Sequence, residues 1–245
     1  MKFPSLRAAV FSVGSLLCPL AALAADHGFV SLFNGRDLTG WDGNADFWSV
    51  RDGAITGQTS SAKLLLSNTF LVWRGGQTKN FELRASFRLL ADNPEGFANS
   101  GIQYRSKLID AKNWIVGGYQ ADLDFAGNYI GMLSEEKGRG IPMQPGQRIL
   151  IRPGVNAEGR TVVDVAGIPT TPENVLAAYR KGEWNEIRIV AEGSTLRHYL
   201  NGVIVAHVVD EDMSRGAKSG LLALQLHAGQ PMTVQFKNVQ MKQLP

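Results

Sequence analysis

From about residue 28 onward, apolar and polar residues alternate singly in short runs separated by Gly, Asn and Asp. In "FELRASFRL", Phe81, Leu83, Ala85, Phe87 and Leu89 share one side, and Glu82, Arg84 and Arg88 the other. A period of two is that of a half-buried strand. "SGIQYRS" sets Ile102 and Tyr104 against Gln103 and Arg105. "GGYQADLDFAGNYIG" sets Tyr119, Ala121, Leu123 and Phe125 against Gln120, Asp122 and Asp124. "WNEIRIVAEG", "TLRHYLNGVIVAHVV", "GLLALQLHAG" and "MTVQFKNVQM" read as further strands. Within the second of these, Asn201-Gly202 separates two apolar runs. Both central residues of a type I′ hairpin need positive φ, which Asn-Gly tolerates best. One helix is expected in "TTPENVLAAYRKG", capped by Thr171, with Pro172 in its first position and Gly182 at its end. Many short strands and one short peripheral helix predict an all-β antiparallel sandwich. The pattern does not set the strand order.

Three strands carry a distinctive polar side. Gln103 and Arg105, then Gln120, Asp122 and Asp124, then Gln225 and His227 each oppose an apolar row. An antiparallel sheet commonly turns one face to water, which would make these positions ordinary surface. Yet the three faces hold no lysine, and amides and imidazole suit a hydroxyl-rich ligand. If the strands are neighbours in one curved sheet, they make a concave polar groove. Beyond them, "GMLSEEKGRG" places Glu135, Glu136 and Arg139 among glycines. It reads either as a mobile charged loop or as a rim that brings a carboxylate and a guanidinium over the groove.

The N-terminus changes the picture of charge and compartment. Lys2 and Arg7, an apolar run from about Ala8 to Leu20, and Ala22-Leu23-Ala24 have the layout of a secretory signal spanning residues 1–24. Residues 25–245 would then form a single mature domain, periplasmic or secreted. The chain has 25 basic and 22 acidic residues; without Lys2 and Arg7 the balance is 23 to 22. Cys18, the one cysteine, lies inside the leader, so the mature chain has neither disulfide nor thiol chemistry. No basic run points to nucleic acid, and no second apolar segment points to a membrane span.

Several chemistries lack their signatures. No nucleophile-elbow, Walker or dinucleotide motif occurs. His27, His198, His207 and His227 show no zinc spacing. No motif calls for a cofactor; Asp122, Asp124, Glu136 and His227 could supply oxygens and nitrogen to a divalent cation, but nothing in their spacing requires one. Trp114, in the polar "DAKNWIVGG", is the tryptophan best suited to stack on a sugar ring.

The segments "LFNGRDLTGW", "FWSVRDGAITGQ", "NSGIQYRS", "GGYQADLD", "EEKGRG", "GEWNEIRIVAEG", "HYLNG" and "GLLALQLHAG" with "VQFKNV" occur in an order that resembles the 3-keto-disaccharide hydrolase domain family. The resemblance runs from about Phe29 to Leu244. It implies a concanavalin A-like jelly roll of two curved antiparallel sheets. It also implies a bacterial protein of the periplasm or cell surface that cleaves 3-keto-glycosides by 1,2-lyase and 3-keto-2-hydroxy-glucal hydratase chemistry. A C3 ketone acidifies the C2 proton; a base removes it, the enolate expels the C1 substituent with help from an acid, and water adds to the glucal. Donors or positive charge must hold the C3 oxygen.

On that reading Arg105 or Arg139 would hold the enolate oxygen, and Asp122, Glu136 and His227 are candidates for base and acid. Gln103, Gln120 and Gln225 would fix sugar hydroxyls, with Asn99 and Trp114 beside them. Many members of the family have a glutamate where this chain has Gln120. A carboxylate role there is excluded, which shifts weight to Asp122 and Glu136. Two alternatives stay open: a non-catalytic carbohydrate-binding module, since fold does not fix activity, and a conventional retaining glycosidase. The latter needs two carboxylates about 5–5.5 Å apart, and the nearest strand motif, Gln120-x-Asp122-x-Asp124, lacks its first glutamate.

Overall fold

The computed structural model describes residues 28–141 and 143–245. The leader assigned to residues 1–24, with Cys18, and also His27, fall outside the described residues.

Two sheets pack face to face. With strands numbered in chain order, the larger sheet runs β11 (Thr161–Gly167), β10 (Arg148–Val155), β14 (Val203–Asp210), β13 (Thr195–Leu200), β12 (Asn185–Glu192), β6 (Phe81–Ala91), β16 (Met232–Gln243), β4 (Ala54–Gln58), β3 (Trp48–Arg51). A short β1 (Val30–Ser31) pairs with β16. The smaller sheet runs β2 (Trp41–Asp42), β5 (Thr69–Trp73), β15 (Leu221–Leu226), β7 (Asn99–Asp110), β8 (Ile115–Asp124), β9 (Leu133–Glu136). Among the described residues, neighbouring strands are antiparallel except β10 and β14, which run parallel. The architecture is the all-β jelly-roll sandwich that the alternation and the resemblance led us to expect. No helix among the described residues is long and apolar enough to cross a membrane.

The core follows the period of two. Phe81, Leu83, Ala85, Phe87 and Leu89 of β6 are buried, and they face Ile102 and Tyr104 of β7, Tyr119, Ala121 and Leu123 of β8, and Leu222, Leu224 and Leu226 of β15. Each large side chain so buried contributes about 1.5–3 kcal/mol. Polar groups inside the sandwich are paired. The Tyr104 hydroxyl donates to Nε2 of His198 on the opposite sheet at 2.8 Å, and His198 Nδ1 donates to the Gly131 carbonyl at 2.8 Å. Burial pushes the His198 pKa down to about 4, so the ring is neutral and serves as a link between sheets.

The Asn201-Gly202 turn has φ of 47° and 85°, as a type I′ hairpin requires. The helix α1 (Pro172–Ala178) is capped by Thr171 but stops before Gly182. Its C-cap is Tyr179, whose backbone is extended and whose ring is buried against the core, so tertiary packing ends the helix early.

"GMLSEEKGRG" is not the loop expected. Leu133–Glu136 forms the edge strand β9, and its alternation sends Glu135 and Glu136 to opposite sides of the sheet. Arg105 departs from the alternation as well. The register slips between Tyr104 and Lys107, so three steps on β7 match two on β8, and Arg105 takes φ 49°. Such a bulge re-aims a side chain. The Arg105 guanidinium leaves the polar face and donates to the carbonyls of Lys79 (2.7 Å), Gly193 (2.8 Å) and Ala217 (3.3 Å).

Candidate functional site

The outer face of the smaller sheet is divided. Toward β5, Phe70, Val72, Val116 and Ala223 form a small apolar cluster, with Trp114 folded against it. Toward β9 lies a polar hollow of about 260 Å³, bordered by Asn68, Asn99, Gln120, Asp122, Glu136, Gln225 and His227, with Ser134, Glu135 and Lys137 at its edge. These residues come from or adjoin five consecutive strands.

The curvature can be read from two contacts. Asn68 directly precedes β5 and Glu136 ends β9, four strand intervals away, roughly 19 Å on a flat sheet. Their side chains nevertheless meet, with Asn68 Nδ2 3.4 Å from Glu136 Oε1 and Oε2. Gln225 Nε2 reaches Glu136 Oε2 at 3.3 Å across two intervening strands. Gly101 of β7 leaves room for this closure. A Cβ there would stand 2.3 Å from Gln120 Cδ, so only glycine lets the Gln120 amide lie across the strand.

Asp122 is the most perturbed acid of the hollow. Desolvation pushes its pKa up to about 7; Asn99 Nδ2 (3.1 Å), the Leu123 amide (3.1 Å) and the Gln120 side chain pull it back toward the usual range, against the neighbouring charge of Asp124. No cation lies within 4.0 Å of it among the described residues. At neutral pH the carboxyl is close to half ionised, the state in which a group can accept and return a proton. His227 Nδ1 bonds the Ala228 carbonyl at 2.6 Å. A carbonyl only accepts, so Nδ1 carries the hydrogen and Nε2 of the neutral ring is the acceptor. Phe97 packs edge-on to this imidazole, 5.3 Å between centroids.

Gln225 is 1% exposed; its amide nitrogen donates to Glu136, and its Oε1 has no donor among the described residues. A buried acceptor without a partner costs roughly 1–3 kcal/mol, and this one stands at the floor of the hollow.

The structure thus gathers Asp122, Glu136, His227, Gln120, Gln225 and Asn99, as the sequence suggested. It does not bring in the others. Arg105 is turned away by the bulge. Gln103 lies beneath the floor, fully buried and bonded to Gln120 Oε1 (2.9 Å) and Ser106 Oγ (2.6 Å). Arg139 is on the far side of β9, clamped between Glu135 Oε2 (2.6 Å) and Asp210 Oδ2 (2.6 Å). Trp114 belongs to the adjoining apolar cluster.

The cation set also fails to assemble. Asp124 accepts the backbone amides of Asn128 (2.7 Å) and Tyr129 (3.2 Å) and so ties its own loop. Among the described residues no three His, Asp or Glu side chains approach closely enough to hold a metal. Asn68 and Lys137 escaped the sequence reading because neither sits on an alternating run. Asn68 is placed by its Oδ1 accepting the Ala228 amide at 3.0 Å, a contact between segments 160 residues apart.

The two-sheet sandwich carries a curved polar hollow on one outer face, lined by groups suited to a hydroxyl-rich ligand. The particular family follows from comparison: residues 28–242 match the 3-keto-alpha-glucoside-1,2-lyase-like domain, and the chain belongs to that family. Among solved structures it is similar to a candidate glycosyl hydrolase from Parabacteroides distasonis ATCC 8503, with 21% identity, TM-score 0.55, and 89% of this chain and 94% of that one covered. A second structure described in the same terms, from the same organism, gives 20% identity and TM-score 0.55 over 88% and 99% of the chains. At these identities the likeness speaks for the fold. No curated protein matches the chain.

Proposed function

We propose that the protein is a 3-keto-glycoside lyase and glucal hydratase, acting in the periplasm or outside the cell. The observation that carries this reading is the pairing of Asp122, with a pKa near 7, and the free Nε2 of His227 in one hollow that otherwise offers amides. Proton removal beside a ketone needs one group poised to take a proton and another able to give one; it needs no pair of ionised carboxylates.

Asp122 takes the C2 proton, and Asn99 and Gln120 orient its carboxyl. The electrons of the C2–H bond move to the C3 oxygen, and the enolate then expels the C1 substituent. His227, protonated, or Glu136 delivers the proton that the leaving oxygen requires. In the second stage the same groups guide water onto the glucal. The C3 oxygen has neither Arg105 nor Arg139 to call on. The donors that border the hollow are the Lys137 ammonium and the side-chain amides, and these take that role.

Incubating the full chain with a 3-keto-disaccharide in heavy water tests the reading. Cleavage with deuterium appearing at C2 is expected. Cleavage without exchange would instead mean direct displacement at C1. Saturable binding with no turnover would mean a carbohydrate-binding module.

A further inference from the structure

A second polar groove, of about 460 Å³, lies on the outer face of the larger sheet, across the sandwich from the hollow. Its floor follows from register. Gln235 of β16 pairs with Thr56 of β4, and Thr233 pairs with Gln58. Ile55, Val234 and Phe236, which alternate with them, fill the core. The result is a two-by-two array of hydroxyls and amides at strand spacing, roughly 4.8 Å apart in one direction. That is about the separation of hydrogen-bonding groups across a pyranose. Three of the four are nearly buried: Thr56 at 1%, Gln235 at 5% and Thr233 at 8% exposed.

Two arginines reach over this floor, and they are held differently from the ion-paired arginines of the same sheet. On the same sheet Arg84 and Arg188 meet Glu82, Arg197 meets Glu192, and Arg152 meets Asp164. Arg51 and Arg88 are given amide oxygens instead. Arg51 Nη1 donates to Gln58 Oε1 at 2.6 Å, and Arg88 Nε and Nη2 both donate to Gln235 Oε1, at 3.1 and 2.5 Å. Among the described residues neither has a carboxylate within 4.0 Å. Asp52 and Asp92 also border the groove, so its lining carries both signs; Asp92 is drawn onto Thr233 Oγ1 at 2.7 Å, and the positive charge is local to the two forks. A neutral acceptor holds a guanidinium in place without cancelling its charge. Each fork therefore keeps N–H groups and its positive charge, although Arg88 also lies 5.1 Å from the Trp184 ring centroid; a planar or tetrahedral oxyanion fits such a fork best.

We infer that this groove is a second saccharide site, selective for an acidic sugar. The carboxylate or sulfate ester of the sugar sits against Arg51 and Arg88, and its hydroxyls rest on Gln58 and Thr233, while Gln235 and Thr56, bonded to each other at 3.2 Å, hold the Arg88 fork in place. The inference does not depend on the lyase reading, since the groove shares no residue with the hollow.

Calorimetric titration of the full chain tests it with three probes: a glucuronate-containing oligosaccharide, a sulfated oligosaccharide, and a neutral oligosaccharide of equal length. Saturable binding of one or both acidic probes is expected, the two arms telling carboxylate from sulfate. The neutral probe should bind at least tenfold more weakly. The double variant Arg51→Met/Arg88→Met should lose at least tenfold in affinity for the acidic probe. Arg51→Lys/Arg88→Lys, which keeps the charge and protects against a folding artefact, should lose about threefold. Asp122→Asn should bind as wild type. Equal affinity for the neutral probe, or unchanged binding by the methionine pair, would overturn the proposal. So would equally tight binding of inorganic sulfate or of an acidic peptide, which would make the groove a general anion site.

Discussion

The two sides of β8 and β9 carry the same kinds of residue and use them in opposite ways. Facing the larger sheet, Tyr119, Glu135, Arg139 and Asp210 form a closed cluster. Arg139 bonds Glu135 and Asp210, and the Tyr119 hydroxyl donates to Asp210. Each charge in it touches an opposite one. The two carboxylates hold the Arg139 pKa above its usual value, and burial with the neighbouring Asp210 holds Tyr119 above its own. Facing outward, one residue along, Gln120, Asp122 and Glu136 meet no guanidinium among the described residues, and Gln225 Oε1 meets no donor there. A closed cluster specifies how two sheets join. An open one keeps hydrogen-bonding capacity in reserve, at a cost in stability, for a molecule that is not part of the fold.

The contrast can be broken from either side. Replacing Arg139 with methionine strands two buried carboxylates and should destabilise the protein by about 3–5 kcal/mol, read from denaturant midpoints. A loss below about 1 kcal/mol would mean that the cluster is not the join we describe. Asp122→Asn should do the reverse: turnover of a 3-keto-glycoside falls ~10²–10⁴-fold while the fold holds or gains stability.

The pH dependence sharpens the second point. Because the native pKa of Asp122, about 7, lies above the ordinary 3.8, the native state binds the extra proton between these values. The contribution of Asp122 to stability therefore falls as pH rises from about 4 to about 7, and is flat above. Asp122→Asn should be equal to wild type near pH 3 and more stable at pH 8, by about 1–3 kcal/mol once water in the hollow is allowed for. Wild-type kcat/KM should rise with pH through about 7, and the variant should lack that limb. An acid limb that survives in Asp122→Asn would assign the proton transfer elsewhere. The smallest effect is expected at Gln225. Gln225→Leu removes an unpaired acceptor and also the long 3.3 Å bond to Glu136, which keeps Asn68; the two changes offset, so stability should stay within about 0.5 kcal/mol. KM should rise roughly tenfold, or about 1.4 kcal/mol. A stability loss of several kcal/mol would show that Gln225 is structural.

Much of this was legible beforehand. Period-two alternation identified the core faces of β6, β7, β8 and β15, because a strand that packs on one side must alternate. Asn201-Gly202 announced its hairpin by a local preference for positive φ. Asp122, His227 and Gln225 stood out as polar groups opposite apolar rows, and Glu136 as a carboxylate in a glycine-rich rim. The errors have a common origin. Arg105 was read by alternation, and a one-residue bulge moved it. Arg139 was read as a free charge, and Asp210, 71 residues away, claimed it. Asp124 and Gln103 were read as groove residues, and each is bonded within the protein.

The sequence by itself determined which side of each strand is apolar, where the chain turns, and the family to which it belongs, since these follow from neighbours along the chain. The tertiary structure alone decided which polar groups are satisfied. Hydrogen-bond partners are brought together by sheet curvature and strand order over separations of tens to more than a hundred residues, and an unpaired buried atom such as Gln225 Oε1 can be recognised only once every nearby donor has been placed.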